Sequence, residues 1–231
     1  MNRLIGPVRL TPCTRRVWNG GSPYRPPGGR SAAPVRQGTP AGTTVDKEGR
    51  NLAGAAVPER IRWAVEVLAP APGDHLLEIG CGPGVAVAAL CQRLTSGRIV
   101  AIDRSATAVA RATRRNADCV AAGRAVLRTV ALEDLHPAGL PGAGHGFDTV
   151  FAMNVNLFWV RSPARELELI RALLRPGGRL ALFYGYGTPG QAATVPEALL
   201  GHLAAGGFTT EIRTGPSVAG VVARPVRPGR R

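Results

Sequence analysis

Residues 75–90 read HLLEIGCGPGVAVAAL, and this run decides the fold. Leu76, Leu77 and Ile79 form a short apolar stretch of the strand kind, interrupted by one acid, Glu78. Three glycines follow at alternate positions, Gly80, Gly82 and Gly84, and an alanine-rich apolar stretch of helical character begins at once. A strand that turns sharply into a helix gathers unpaired backbone N–H groups and a positive helix end at one point. Glycine lets the chain turn there with positive φ and lets a ligand come close to the backbone. The run reads as a nucleotide-type site.

Outward from it, strands and helices alternate. Residues 58–68 (PERIRWAVEVL) carry Ile61, Ala64, Val65 and Leu68 at helical spacing, behind a proline suited to a helix start. Pro70, Pro72 and Gly73 then break the chain. Strands are expected at 76–79, 98–102 (with Asp103 at its end), 125–130, 147–153 and 179–184. Helices are expected at 85–94, 105–116 (capped by Ser105), 163–174 and 196–205, the last ended by Gly206 and Gly207. Arg175-Pro176-Gly177-Gly178 reads as a turn. Two final strands, 208–213 and 218–223, are joined by a turn too short for a crossover, so one of them must run antiparallel. The expected fold is α/β, a doubly wound, mostly parallel seven-stranded sheet with an antiparallel last strand.

The net charge of +14 suggests a nucleic-acid partner until its distribution is read. Residues 1–45 carry seven arginines and no acid, and the tail from Arg224 carries four more, so the stretch between is close to balanced. Only one lysine, Lys47, stands beside 28 arginines, a bias of composition rather than a built phosphate-binding face. The chain thus divides into a basic Pro/Gly/Arg-rich segment, 1–45, expected to be disordered; a folded part, 46–223; and a basic tail, 224–231. No apolar run approaches the roughly 18 residues of a membrane span, and the start lacks a secretory apolar core. A soluble, cytoplasmic protein without a membrane partner is expected. Cys13, Cys81, Cys91 and Cys119 show no CxxC spacing, so no metal site is expected. Cys81 reads as a small packing residue inside the glycine turn, and Cys91 and Cys119 as small buried hydrophobes.

In a doubly wound sheet the ligand lies at the carboxyl ends of the strands. Gly80, Gly82 and Gly84 end the first strand, and Asp103 ends the second, where a carboxylate can accept both hydroxyls of a ribose. The dinucleotide pattern GxGxxG fails, because Val85 stands where its third glycine belongs. The triphosphate-binding pattern fails too, for want of a Lys after the last glycine.

With these exclusions, four segments taken in order, LLEIGCGPG (76–84), AIDRS (101–105), FDTVFAMN (147–154) and LRPGGRLALF (174–183), resemble the class I S-adenosylmethionine-dependent methyltransferases, the group with small-molecule substrates. The resemblance covers residues 58–223. It implies an enzyme that uses S-adenosylmethionine to methylate an O, N or C atom of a small organic acceptor. Gly80, Cys81, Gly82 and Gly84 would cradle the methionine part of the cofactor. Glu78 would hold the turn and reach toward the cofactor amino group. Asp103 would bind the ribose diol, Arg104 would flank the adenine, and Asn154 would face the methionine moiety or the acceptor. One position departs from the family: Ala131 stands where an Asp commonly binds the adenine amino group. Adenine recognition is then expected from the backbone of Leu132 or the side chain of Glu133, although Glu133 and Asp134 read equally well as a solvated loop.

Methyl transfer from a sulfonium needs a base only if the acceptor must lose a proton, and no catalytic residue is assigned. His136, His145, His202, Tyr184 and Tyr186 are the candidates, with His136 and His145 reading as exposed loop residues. Asn156, Phe158 and Trp159 read as either an acceptor-pocket wall or a helix packing edge. The Asn-Pro-Pro-Tyr signature of base-amino methyltransferases is missing after the fourth strand, where Met153-Asn154-Val155-Asn156 stands, which disfavours a nucleic-acid substrate. Two other readings remain: an RNA or protein methyltransferase using the basic tails, and a non-catalytic cofactor-binding module. The oligomeric state is not specified by the sequence.

Overall fold

The structure is a computed structural model and describes residues 57–141, 143–185 and 194–226. The expected disorder of residues 1–45, the end of the basic tail at 227–231, and Tyr186 lie outside the described residues.

The elements are α1 (Glu59–Leu68), β1 (His75–Ile79), α2 (Val85–Cys91), β2 (Arg98–Asp103), α3 (Ala106–Arg115), α4 (Ala117–Ala121), β3 (Ala125–Thr129) and β4 (Phe147–Met153). They continue with α5 (Leu157–Val160), α6 (Ala164–Leu173), β5 (Leu174–Tyr184), α7 (Glu197–Ala205), β6 (Phe208–Thr214) and β7 (Ala219–Pro225). The seven strands form one sheet in the order β3-β2-β1-β4-β5-β7-β6. The first five run parallel, and β7 is antiparallel to both β5 and β6. This is the doubly wound sheet the alternation predicts. The order reverses beside β1, which puts the switch point at the glycine run.

Alternation along the buried strands divides the core into two layers. Leu77, Ile79, Val100, Ile102 and Val150 face one way and pack under α6 and α7. Leu76, Ala101, Phe151 and Phe183 face the other way, under α1 and α2. Glu78 shares the parity of Leu76, so its carboxylate points into the second layer beneath the glycine turn.

Three departures from the sequence reading have physical causes. The helix after the glycine run stops at Cys91, where Arg124 Nη1 donates to the Cys91 and Leu94 carbonyls and so satisfies the helix end. The Arg175–Gly178 turn lies inside β5 as a bulge: Phe147 pairs with Leu174 and Thr149 with Arg179. Pro176 has no N–H for the ladder, Gly177 adopts φ 86°, and Arg175 is tied to Asp148 by an ion pair. Cys91 and Cys119 are not separate packing residues but a disulfide joining the end of α2 to α4. The short helices α4 and α5 carry too little periodicity to be read in advance. Ser105 does cap α3, its Oγ accepting from Ala108 N at 3.2 Å. Among the described residues, no helix is long and apolar enough to cross a membrane.

Candidate functional site

β1, β2 and β4 end at one level, because Ile79 pairs with both Ile102 and Ala152. Gly80, Asp103 and Met153 therefore leave the sheet side by side. After β1 the chain stays tied to the sheet edge, with Gly80 N and Cys81 N both donating to the Ile102 carbonyl. Gly80, Gly82 and Gly84 have φ of 71°, 51° and 73°, the left-handed region that the sequence requires of them.

The three glycines do different work. A Cβ on Gly84 would lie 2.6 Å from Asn116 Nδ2 and 2.7 Å from Ala112 Cβ, so this glycine lets α3 pack against the turn. Asn116, itself buried, donates to the Gly84 and Ala112 carbonyls. Arg115 Nε adds a hydrogen bond to the Pro83 carbonyl. A Cβ on Gly80 would strike Val155 Cγ2 at 2.6 Å, whereas one on Gly82 would meet nothing within 4 Å. Gly82 presents bare backbone to open space.

Asp103 organises the tip. Its Oδ2 accepts from Gly82 N at 2.9 Å and its Oδ1 from Ser105 N at 2.8 Å. Each oxygen keeps a further lone pair for a ligand hydroxyl. Glu78 lies below, 2 % exposed, and its Oε2 has no hydrogen-bond partner. Burial, and after it the Asp103 charge, pushes this carboxyl up to about 8. The Cys81 thiol is pushed up to about 12, first by burial and then by Glu78 and Asp103. It is no nucleophile at neutral pH, in keeping with a packing role.

Two hollows meet at this junction. A recess of about 200 Å³ is lined by Glu78, Gly80, Cys81, Gly82 and Asn154 together with α1 residues Arg60 and Ile61. A cleft of about 540 Å³ opens on the other side of Gly80, between Asp103, Arg104 and residues 130–133 on one wall and residues 153–157, 160 and 161 on the other. Nine of the ten residues expected at the site from sequence line one or both hollows; Gly84 stands behind the turn instead. Ala131 precedes a 3₁₀ turn, Leu132–Asp134, with Leu132 buried at the cleft wall and Glu133 exposed at its lip.

Asn154 has φ 53° and clamps β4 to the end of β5. Its Oδ1 accepts from Gly185 N and its Nδ2 donates to the Gly185 carbonyl, both at 2.9 Å. The side chain is thus engaged across the sheet, at a residue that lines both hollows. Helix α5 turns Asn156, Leu157, Val160 and Arg161 to the cleft, while Phe158 is fully buried and Trp159 packs on the core. Of the two readings of these residues, the packing edge holds for Phe158 and Trp159, and of the three only Asn156 lines the cleft. Arg161 and its partner Glu166 were missed, because nothing in the local spacing marks a half-exposed arginine held by a buried acid.

The remaining candidates stand apart. His136 and His145 are exposed. Tyr184 is buried, with its hydroxyl donating to the Val155 carbonyl at 3.3 Å. His202 Nδ1 lies 3.0 Å from the Phe158 carbonyl, on a separate hollow.

Comparison with known proteins places similar chains among methyltransferases. The family model described as a methyltransferase domain matches residues 77–180. A trans-aconitate 2-methyltransferase from Paracidovorax citrulli is 33% identical over 127 residues, 54% of this chain and 45% of that protein. The chain spans less than half the length of the first curated relatives it matches. Among solved structures, a SAM-dependent methyltransferase from Aquifex aeolicus superposes with TM-score 0.53 at 17% identity, covering 71% of this chain and 88% of that one. The [4+2]-cyclase SpnF superposes with TM-score 0.54 at 22% identity, covering 72% and 81%. These structural likenesses carry the fold, and the cyclase shows that the fold alone does not fix the reaction. The glycine turn and the Asp103 tip lie within the segment that matches the methyltransferase-domain model, and over that segment the chain is similar to class I S-adenosylmethionine-dependent methyltransferases.

Proposed function

We propose that residues 46–223 form a methyltransferase domain that binds S-adenosylmethionine in the paired hollows and methylates an O, N or C atom of a small organic acceptor. The observation that carries the reading is the buried Glu78 carboxylate, whose orphan Oε2 lies beneath a glycine turn that presents open backbone at Gly82. An unpaired buried acid is expensive unless a ligand completes it. A ligand ammonium in the recess does so, and the residues present fit the amino-acid end of this cofactor.

The bound group supplies a methyl already activated on a sulfonium. The chain's part is to bind, orient and dry the site. Glu78 accepts hydrogen bonds from the ammonium and becomes ionised as it does so. Asp103 is pinned by the Gly82 and Ser105 amides, and its spare lone pairs take the ribose hydroxyls. Cys81, Gly82 and Asn154 shape the recess. Leu132 and Val155 give the cleft apolar walls, with Arg104 and Glu133 at its rim. No base is required of the described residues when the acceptor is a carboxylate, whose oxygen attacks without losing a proton.

The trans-aconitate 2-methyltransferases that match this chain support an organic acid as acceptor. Small carboxylic acids therefore head the assay panel. Isothermal titration with S-adenosylmethionine, followed by a labelled-methyl assay on that panel, tests the reading. Saturable binding that Asp103→Ala abolishes is the expected result. No binding by the wild type would overturn it.

A further inference from the structure

The cleft wall of residues 130–133 carries Ala131 rather than an acid, and the opposite wall carries a polar group that the sequence did not signal. Arg161 follows α5 and lines the same cleft as residues 130–133. Its Nη2 donates to Glu166 Oε1 at 2.6 Å. Glu166 is 4 % exposed and sits in the first turn of α6, the helix that packs against the 132–134 turn. The Arg161 side chain remains 48% exposed. Its Nη1 donates to the Ser162 carbonyl at 3.4 Å. A guanidinium held this way has its charge largely matched and its planar fork fixed, and of its five N–H groups more remain than these two contacts use, on a residue that lines the cleft. Beside it, Val160 exposes an apolar side chain at the cleft wall.

Such a group suits a neutral acceptor edge better than an anion, because Glu166 already meets most of its charge. The ring nitrogens of a purine are neutral acceptors on a flat edge. The apolar width of the cleft, between Ile102 and Leu132 on one side and Val155 and Leu157 on the other, suits the faces of the same ring. We propose that Arg161, positioned by the buried carboxylate of Glu166, donates a hydrogen bond to a ring nitrogen of the cofactor adenine and supplies from the α5 wall the polar recognition that Ala131 does not. This rests on the cofactor reading above. It assigns adenine selectivity to a residue pair outside the glycine turn and the Asp103 strand end.

S-adenosylhomocysteine and its 1-deaza and 7-deaza analogues, titrated by calorimetry into wild-type protein and into Arg161→Met, test it without any acceptor. The wild type should bind the parent ligand and lose about tenfold on at least one analogue, the worth of a hydrogen bond to a charged donor. Arg161→Met should lose about tenfold on the parent and show no discrimination among the three ligands. Arg161→Lys keeps the charge without the fork and should behave like the Met variant. Equal affinity of wild type and Arg161→Met for the parent overturns the inference and leaves the cofactor reading standing. A loss in the variant that is the same for parent and analogues, with the wild type also indifferent, overturns it as well. Failure of the wild type to bind the parent ligand overturns both.

Discussion

The two walls of the cleft are built differently. The β1–β2 wall is made of backbone: a glycine turn tied to the Ile102 carbonyl and one carboxylate, Asp103, that holds two amides. The β4–α6 wall is made of side chains: the Asn154–Gly185 clamp, a one-turn helix and the Arg161–Glu166 pair. A backbone site depends on φ values and strand ends, which leave marks in the sequence. A side-chain wall depends on contacts between residues that no spacing rule connects. The first wall can therefore be general to a fold while the second sets what one chain accepts.

The hardest test of the backbone wall is Asp103→Ala, which removes the acceptor for Gly82 N and Ser105 N as well as the diol contact. Cofactor affinity should fall at least about a hundredfold, since several charge-assisted hydrogen bonds go together. A loss under tenfold in calorimetry would mean that the turn is held without Asp103.

Within the same motif, two glycines should fail in opposite ways. Gly84→Ala drives a Cβ to 2.6 Å from Asn116 Nδ2 at φ 73°, so it should destabilise the fold by about 2–4 kcal/mol, read as a lower Tm. Gly82→Ala meets open space, so the fold should lose only about 1–2 kcal/mol for the left-handed φ, while the cofactor collides with the new methyl. If both variants lose Tm equally and bind equally, the division of labour between these glycines is wrong.

The turn was legible because glycine takes positive φ at the least steric cost, and three of them alternate there; Asp103 was legible because it closes the apolar run of the second strand. The sheet order was legible because buried parallel strands read as continuous apolar runs and their connections as helices. The Cys91–Cys119 disulfide was not, since its partners lie 28 residues apart on separate helices with no pairing signal. Asn154 was placed correctly at its strand end, but its side chain proved to be spent on Gly185, a contact 31 residues away. Arg161 and Glu166 were invisible for the same reason: burial of the acid is a property of the packed helix, not of its spacing.

The disulfide supports the backbone wall from behind, because α3 and α4, which it fixes to α2, carry Asn116 and Arg115 to the turn. Reduction by a dithiol, or Cys91→Ala with Cys119→Ala, should lower stability by about 2–4 kcal/mol for a loop of this size. A Tm unchanged by reduction would show that packing alone holds α4.

Glu78 gives a pH test. Unfolded, its carboxyl has the ordinary value of 4.5; folded, it is held near 8. The folded state binds the extra proton between these values, so ligand-free stability should fall as pH rises through that window. Glu78→Gln should flatten this slope and raise Tm at pH 8 by on the order of a few °C. A bound ammonium reverses the preference, so cofactor binding near neutral pH should release a proton. Titrations in buffers of different ionisation enthalpy read that release directly.

The smallest effect should come from Glu133. It is exposed at the lip of the cleft, where a charged contact is screened by water. Glu133→Ala should weaken S-adenosylhomocysteine binding by no more than about threefold, the scale of an exposed charge pair. The size of this loss decides between the walls. A small loss alongside a large one in Arg161→Met places adenine recognition on the side-chain wall. A loss in Glu133→Ala approaching that of Asp103→Ala would instead put it on the backbone wall, with Glu133 taking over what Ala131 lacks and Arg161 left only to brace α6.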